Sequence, residues 1–339
     1  MDELKELLSS LDEELETGQS ESLEREGVEH DLDTIERMVD DVLWYQRLDG
    51  VAEIEQVTIV GPAPENDSRR LEQEGNHVKI PCYVFTPADA VDSDESRPVI
   101  VFAHGGVHAN FDTMYVNIVK EMLSQGYLVI APEYRGSTGY GEDHYKQIDY
   151  GGREVEDTWA AREWIVEHHG LADPDRVGVL GWSHGGLHAL FNAFKHPDGY
   201  ACAYAGVPVT DLVARMGYTE QSYRDLYEAD YHIGQAAAED PDEYRERSPA
   251  WHAADLEIPL RIHATRNDGD LNELEIDRLV EALDAHGKEY DLEFHDEAPG
   301  AHKFERIDTT FAKSSRGRLY EFLDEHLDPP GENPYEDLN

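Results

Sequence analysis

Gly181-Trp182-Ser183-His184-Gly185-Gly186 forms a G-x-S-x-G-G between an apolar run at 177–180 and an amphipathic stretch that follows it. Strand, sharp turn and helix in that order form the setting in which a serine hydroxyl is presented as a nucleophile. Flanking glycines permit the tight turn, and the N-terminus of the following helix favours developing negative charge. The bland reading is a glycine-rich turn with no chemistry. A serine hydroxyl is too weak an acid to attack unaided, so a histidine base and an orienting carboxylate should follow, in the order Ser, Asp, His. After the apolar run 260–263 comes Thr265-Arg266-Asn267-Asp268-Gly269-Asp270, at a strand end where the catalytic groups of open α/β sheets gather. Asp268 is the expected third member, and Asp270 is its rival. After the strand-like stretch 290–294 lies Pro299-Gly300-Ala301-His302-Lys303-Phe304, in which His302 is the expected base.

Acyl transfer also needs donors for a tetrahedral oxyanion. The peptide N–H of His184, directly after the serine, supplies one. The second should come from the loop His104-Gly105-Gly106-Val107, with the Gly106 N–H favoured and the Val107 N–H or the His104 side chain as alternates. Among the 17 histidines, His104 with His108 and His184 with His188 have the i,i+4 spacing that chelates zinc on a helix. No Glu-containing motif accompanies either pair, and both fall inside the hydrolase motifs. Neither a metal nor any other cofactor is expected.

These residues need a sheet to position them. Short, wholly apolar runs at 99–103, 128–131, 177–180 and 260–263 alternate with helical patterns, which predicts a parallel sheet covered on both faces. The helix predicted over 154–168, with Val155, Trp159 and Val166 on one side, is a typical crossover. Upstream, Val57 and Ile59, then Val78, Ile80, Cys82 and Val84, alternate with period two and predict antiparallel opening strands. Residues 1–50 read as a helical acidic extension. Leu4, Leu7, Leu8, Leu11 and Leu15 predict one amphipathic helix, and 33–48 predicts a second with Ile35, Met38, Val39, Val42 and Leu43 on one side. The main domain or a second subunit must cover those stripes, so a homo-oligomer through the extension is one of two outcomes. Residues 51–327 form the expected catalytic domain, with a tyrosine-rich, lid-like insertion at about 210–250. Residues 328–339 read as a loose acidic tail.

The chain of 339 residues carries 74 Asp+Glu against 28 Lys+Arg, a formal net charge of -46, with 40% hydrophobic residues. Global disorder is excluded, and so negative a surface repels phosphate backbones and anionic lipids, which argues against nucleic-acid and membrane partners. The first residues lack the basic-then-apolar pattern of a signal peptide and no apolar run reaches membrane-spanning length, so a cytoplasmic protein is expected. Cys82 and Cys202, each among apolar or small residues, are expected to be buried free thiols. Acid is spread along the whole chain, as on proteins of salt-loving organisms. Crowded carboxylates repel over about 10 Å at 0.1 M salt but only about 3 Å at 1 M, so the chain should fold best in concentrated salt.

The chain from about residue 50 to 327 resembles the catalytic domain of the prolyl oligopeptidase family of α/β hydrolases. The resemblance is carried by His104-Gly105-Gly106, Tyr134-Arg135-Gly136-Ser137-Thr138-Gly139-Tyr140-Gly141, Asp173-Pro174-Asp175-Arg176-Val177, Gly181 to Gly186, Ser248-Pro249 and the Asp268 and His302 loops. It implies an α/β-hydrolase fold, a mostly parallel sheet with helices on both faces, and a Ser183, Asp268, His302 triad without cofactor. It also implies that Val107, Tyr134, Arg135 and Trp182 lie about the substrate pocket, with Tyr218 and Tyr223 from the stretch that covers the site in relatives. The family's glycine after the strand histidine is Ala264 here, and Asn267 stands where its aspartate usually falls, so a one-residue insertion precedes Asp268. Peptidase members carry a propeller of hundreds of residues ahead of this domain, against about 50 here. The expected reaction is therefore hydrolysis of small carboxylic esters through an acyl-enzyme. Aminopeptidase or acylaminoacyl-peptidase action on short peptides is the alternative, and a non-catalytic binding protein on the same fold is a third.

Overall fold

The computed structural model describes residues 23–64, 77–91 and 93–338. The helix predicted over residues 4–15 lies outside them. Helix α1 (Leu23–Arg47) leads into strands β1 (Ala52–Val60) and β2 (Lys79–Pro87). Next come β3 (Arg97–Ala103), α2 (Val116–Ser124), β4 (Leu128–Pro132), the one-turn α3 (Glu142–Tyr145) and the crossover helix α4 (Arg153–His168). The central unit is β5 (Ala172–Trp182), α5 (His184–Lys195) and β6 (Cys202–Gly206). Three short helices, α6 (Leu212–Tyr218), α7 (Gln221–Glu228) and α8 (Pro241–Glu246), precede β7 (Leu260–Thr265), α9 (Glu273–Ala285), β8 (Asp291–His295) and α10 (Thr310–Leu327).

The eight strands make one sheet in the order β1-β2-β4-β3-β5-β6-β7-β8. β2 is antiparallel to both of its neighbours, and all later pairings are parallel. Period-two alternation sorts each central strand between two cores. Ile100, Phe102, Leu180 and Trp182 face α1, α2 and α10, whereas Val99, Val101, Val177 and Val179 face α4, α5 and α9. A third apolar cluster, built on Leu187, Phe191, Leu212, Tyr227 and Tyr244, joins α5 to the 212–246 helices. Strand β4 lies on one side of β3 and β5 on the other. The loops leaving β3 and β5 therefore meet at a topological switch point, where open α/β sheets bind ligands.

The structure departs from the sequence reading at three places. Helix α1 begins ten residues before the predicted start, because its first turns are polar and have no apolar stripe to betray them. Trp44 of this helix and Leu48 just after it are fully buried, packed among Tyr83, Phe85 and Phe111, while Val39 and Val42, assigned to the buried side, are 53% and 66% exposed. The tail is not loose. Gly331 N–H donates to Gln125 O at 3.0 Å, Asn333 Nδ2 to Gly317 O at 2.8 Å, and the Tyr335 hydroxyl to Glu121 Oε1 at 2.6 Å, so polar contacts replace the apolar ones that the sequence lacks there. Both cysteines are buried and free. No helix among the described residues is long and apolar enough to cross a membrane.

Candidate active site

Ser183 sits between β5 and α5 with φ 60° and ψ -118°, a conformation that costs a non-glycine residue on the order of 1–3 kcal/mol. Backbone bonds hold it there. Its N–H donates to Gly206 O at 2.9 Å, and its carbonyl accepts from Leu187 N at 3.2 Å and Val209 N at 3.2 Å. Gly185 lets the turn close against β3, since a Cβ at this position would stand 2.1 Å from Ala103 O. That neighbour is backbone and cannot swing away. Gly185→Ala is expected to cost about 3 kcal/mol, the upper end for overpacking, read as a lower urea midpoint with unchanged m-value in concentrated salt.

His302 follows Gly300 and Ala301, both at positive φ (91° and 48°), a tight turn after β8 that delivers the ring to the cleft. Its Nδ1 lies 2.7 Å from Asp268 Oδ2. The other Asp268 oxygen accepts from Asp270 N at 2.8 Å and Leu271 N at 2.9 Å, so the carboxylate is fixed from both ends. An ionised acceptor there keeps the imidazole proton on Nδ1 and leaves Nε2 as the basic atom. Asp270 is exposed on the cleft rim, with a carboxylate oxygen within 4.8 Å of a His302 ring nitrogen but not hydrogen-bonded to it. The neighbouring Asn267 bonds Ala298 N and O at 3.0 and 3.1 Å, stitching this loop to the one that carries His302.

Neither the Gly106 nor the His184 N–H donates to a protein acceptor among the described residues. Gly106 has φ +76°, and its carbonyl accepts from the Tyr134 hydroxyl at 2.8 Å, which fixes the peptide beside the cleft. The alternates are placed otherwise. The His104 ring is fully buried, with Nε2 2.9 Å from Ser137 Oγ, so it points away from the cleft. Val107 is half-buried against the third apolar cluster.

A cleft of roughly 670 Å³ opens over Ser183 and His302, walled by Tyr218 and Tyr223. Tyr134, Arg135 and Trp182, expected about the pocket, do not line it, because each is consumed by a buried polar partner. Tyr134 serves Gly106. Arg135 grips Asp157 with Nε and Nη2 at 2.8 and 2.7 Å, tying the loop after β4 to α4. Trp182 Nε1 donates to Glu305 Oε2 at 2.7 Å.

Glu305 escaped the sequence reading. Its carboxylate also meets His263 Nδ1 at 2.6 Å, Ser315 Oγ at 2.7 Å and the Tyr204 hydroxyl, so one buried side chain three residues after His302 ties that loop to β5, β6 and β7. Arg215, Lys303 and Arg306 were also missed as cleft residues. Arg215 is nearly buried and pairs with Glu275 at 2.8 Å, and Arg306 Nη2 donates to His302 O at 2.7 Å. Only the sign of these residues, rare in so acidic a chain, could have drawn attention to them.

A sheet of this order, with a strained serine on the turn after its fifth strand, defines an α/β hydrolase. Residues 114–329 match the prolyl oligopeptidase family, and the chain belongs to it. Over 202 residues it is 29% identical to the acylamino-acid-releasing enzyme of Arabidopsis thaliana, covering 58% of this chain and 26% of that protein. Among solved structures it is similar to the acylaminoacyl peptidase of Pyrococcus horikoshii (TM-score 0.68, 19% identity, 88% of this chain and 46% of that one). It is also similar to a puromycin-hydrolyzing peptidase of Mycobacterium tuberculosis (TM-score 0.66, 25% identity, 81% and 40%). The chain thus spans about a quarter of the curated relative and under half of each solved one.

Proposed function

We propose that the chain is a serine peptidase that cleaves short peptides with a blocked amino terminus, with Ser183, His302 and Asp268 as its triad. The observation that carries the reading is the 2.7 Å contact of His302 Nδ1 with Asp268 at the cleft that also holds Ser183. His302 Nε2 takes the Ser183 proton as Oγ attacks the scissile carbonyl. The N–H groups of His184 and Gly106 receive the oxyanion, and His302 returns the proton to the leaving amine. Water then attacks the acyl-enzyme by the same route, releasing the acid and restoring Ser183.

The relatives named above are peptidases and none is an esterase, which supports amide hydrolysis over the ester preference expected from the sequence. A blocked terminus follows the acylamino-acid-releasing relatives. Helices α6 and α7 contribute Tyr218 and Tyr223 to the wall, which suits a small acyl group. N-acetylated aminoacyl anilides are expected to be cleaved with kcat/KM at least about tenfold above the same anilides with a free amine, roughly 1.4 kcal/mol of discrimination. The assay is run in concentrated salt with Ser183→Ala as blank. Turnover of short aryl esters with no anilide cleavage would return the reading to a carboxylesterase.

A further inference from the structure

We propose that Glu154, His184 and His188 form a binding site for a divalent transition-metal ion of the zinc class, buried directly behind the turn that carries Ser183. The inference goes beyond the peptidase reading and stands without it. His184 and His188 are four residues apart on one face of α5, and Glu154 comes from the first turn of α4. Their relative exposures are 2%, 0% and 0%, and one nitrogen or oxygen atom from each lies within 4.8 Å of the other two. Two imidazoles and a carboxylate are a donor set such ions take, with bonds of about 2.0–2.2 Å.

Three of the four ring nitrogens at this place are unsatisfied by the protein. His188 Nε2 and both ring nitrogens of His184 are buried without a hydrogen bond, an arrangement that is unfavourable unless something fills it. His184 Nε2 lies 3.5 Å from Glu154 Oε1, too far for a strong hydrogen bond but close to the roughly 3.4 Å that separates two ligands on one tetrahedral ion. The outer contacts fit as well. His188 Nδ1 lies 2.7 Å from Thr158 Oγ1, whose hydroxyl oxygen can accept the Nδ1–H hydrogen bond when Nε2 is the metal-binding atom. Glu154 accepts from the N–H groups of Gly151 and Gly152 and so is held as an acceptor.

The rings of Tyr134 and Tyr150 close the site, at 4.2 Å from His188 and 4.4 Å from His184 respectively, so an ion would enter as the chain folds and leave only as it unfolds. It would act as a positioning device by fixing the His184 ring, one residue from the nucleophile.

The test is the zinc content of the full chain, expressed in zinc-supplemented medium and dialysed against EDTA in concentrated salt, measured by inductively coupled plasma mass spectrometry. About one equivalent is expected, falling at least tenfold in His184→Leu and His188→Leu but unchanged in His196→Leu, a control elsewhere on α5's flank. Less than a tenth of an equivalent in the unsubstituted chain, or full retention in both variants, overturns the proposal. Should the variants fail to fold, zinc-edge X-ray absorption of the unsubstituted chain decides. Two imidazoles in the shell support the site. A single one indicates the rim group Asp268, Asp270 and His302 instead and overturns it.

Discussion

Ser183→Ala and His302→Ala are each expected to lower kcat by about 10⁴- to 10⁶-fold with the fold retained, and Asp268→Asn by about 10⁴-fold. The losses should not add, because the hydroxyl, base and orienting carboxylate act as one unit. Asp268→Asn is the informative member. An asparagine amide in place of Oδ2 would donate toward His302 Nδ1, now 2.7 Å away, and so favour the tautomer whose Nε2 carries the proton. Asp270→Asn should change kcat by less than about threefold, since its side chain is exposed and makes no hydrogen bond to the ring. The measurement is kcat on an acetyl-aminoacyl anilide, with near-UV circular dichroism to confirm packing. Full activity in Asp268→Asn with loss in Asp270→Asn would move the triad's third member to the rim.

Glu305→Gln should be the most destabilising conservative change near the site, and its cost should depend on pH. Burial by itself would push the Glu305 carboxyl up, but His263, Tyr204 and Trp182 outweigh it and hold the group down at about 2, against an ordinary 4.5. A carboxyl depressed in the folded state stabilises above its unfolded pKa and loses that contribution as pH falls through the window from about 4.5 to about 2. The difference corresponds to on the order of 3 kcal/mol. Urea unfolding of both proteins at neutral pH should therefore differ by about 3 kcal/mol, with the gap narrowing below about pH 4.5 as the wild type gives up its charge. A gap independent of pH would mean that the carboxylate's charge contributes nothing. Because Glu305 joins Trp182 to the segment carrying His302, the variant should also lose activity in proportion to the misplacement of that loop.

Much of this could be read from the chain because its signals are local. The strands at 99–103, 128–131, 177–180 and 260–263 declare themselves as apolar runs, and Ser183 and His302 stand in glycine-rich loops directly after strands. Strand β6 is not legible in the sequence because Cys202-Ala203-Tyr204-Ala205-Gly206 is short and built mostly of small residues, although Pro197-Asp198-Gly199 marks a turn ahead of it. Position 305 defeats sequence reasoning for a different reason. Nothing in Phe304-Glu305-Arg306 announces that its carboxylate will meet Trp182, Tyr204 and His263 from three strands. Glu154, thirty residues before His184, likewise belongs to no local metal motif. Tyr134, Arg135 and Trp182 illustrate the converse limit: a motif tells that residues lie near a site, not which way their side chains turn.

The three cations about the cleft bear on how quickly a substrate arrives. With a net charge of -46 the molecule as a whole repels an anion, while Arg215, Lys303 and Arg306 attract it only once it is within contact range. At about 3 Å of screening length in 1 M salt the distant repulsion vanishes and the short contacts survive. For a substrate bearing a carboxylate, the association rate constant would therefore climb with ionic strength, opposite to ordinary electrostatic steering, while the dissociation rate constant changed little. Capture of such a substrate would then be fastest in concentrated salt.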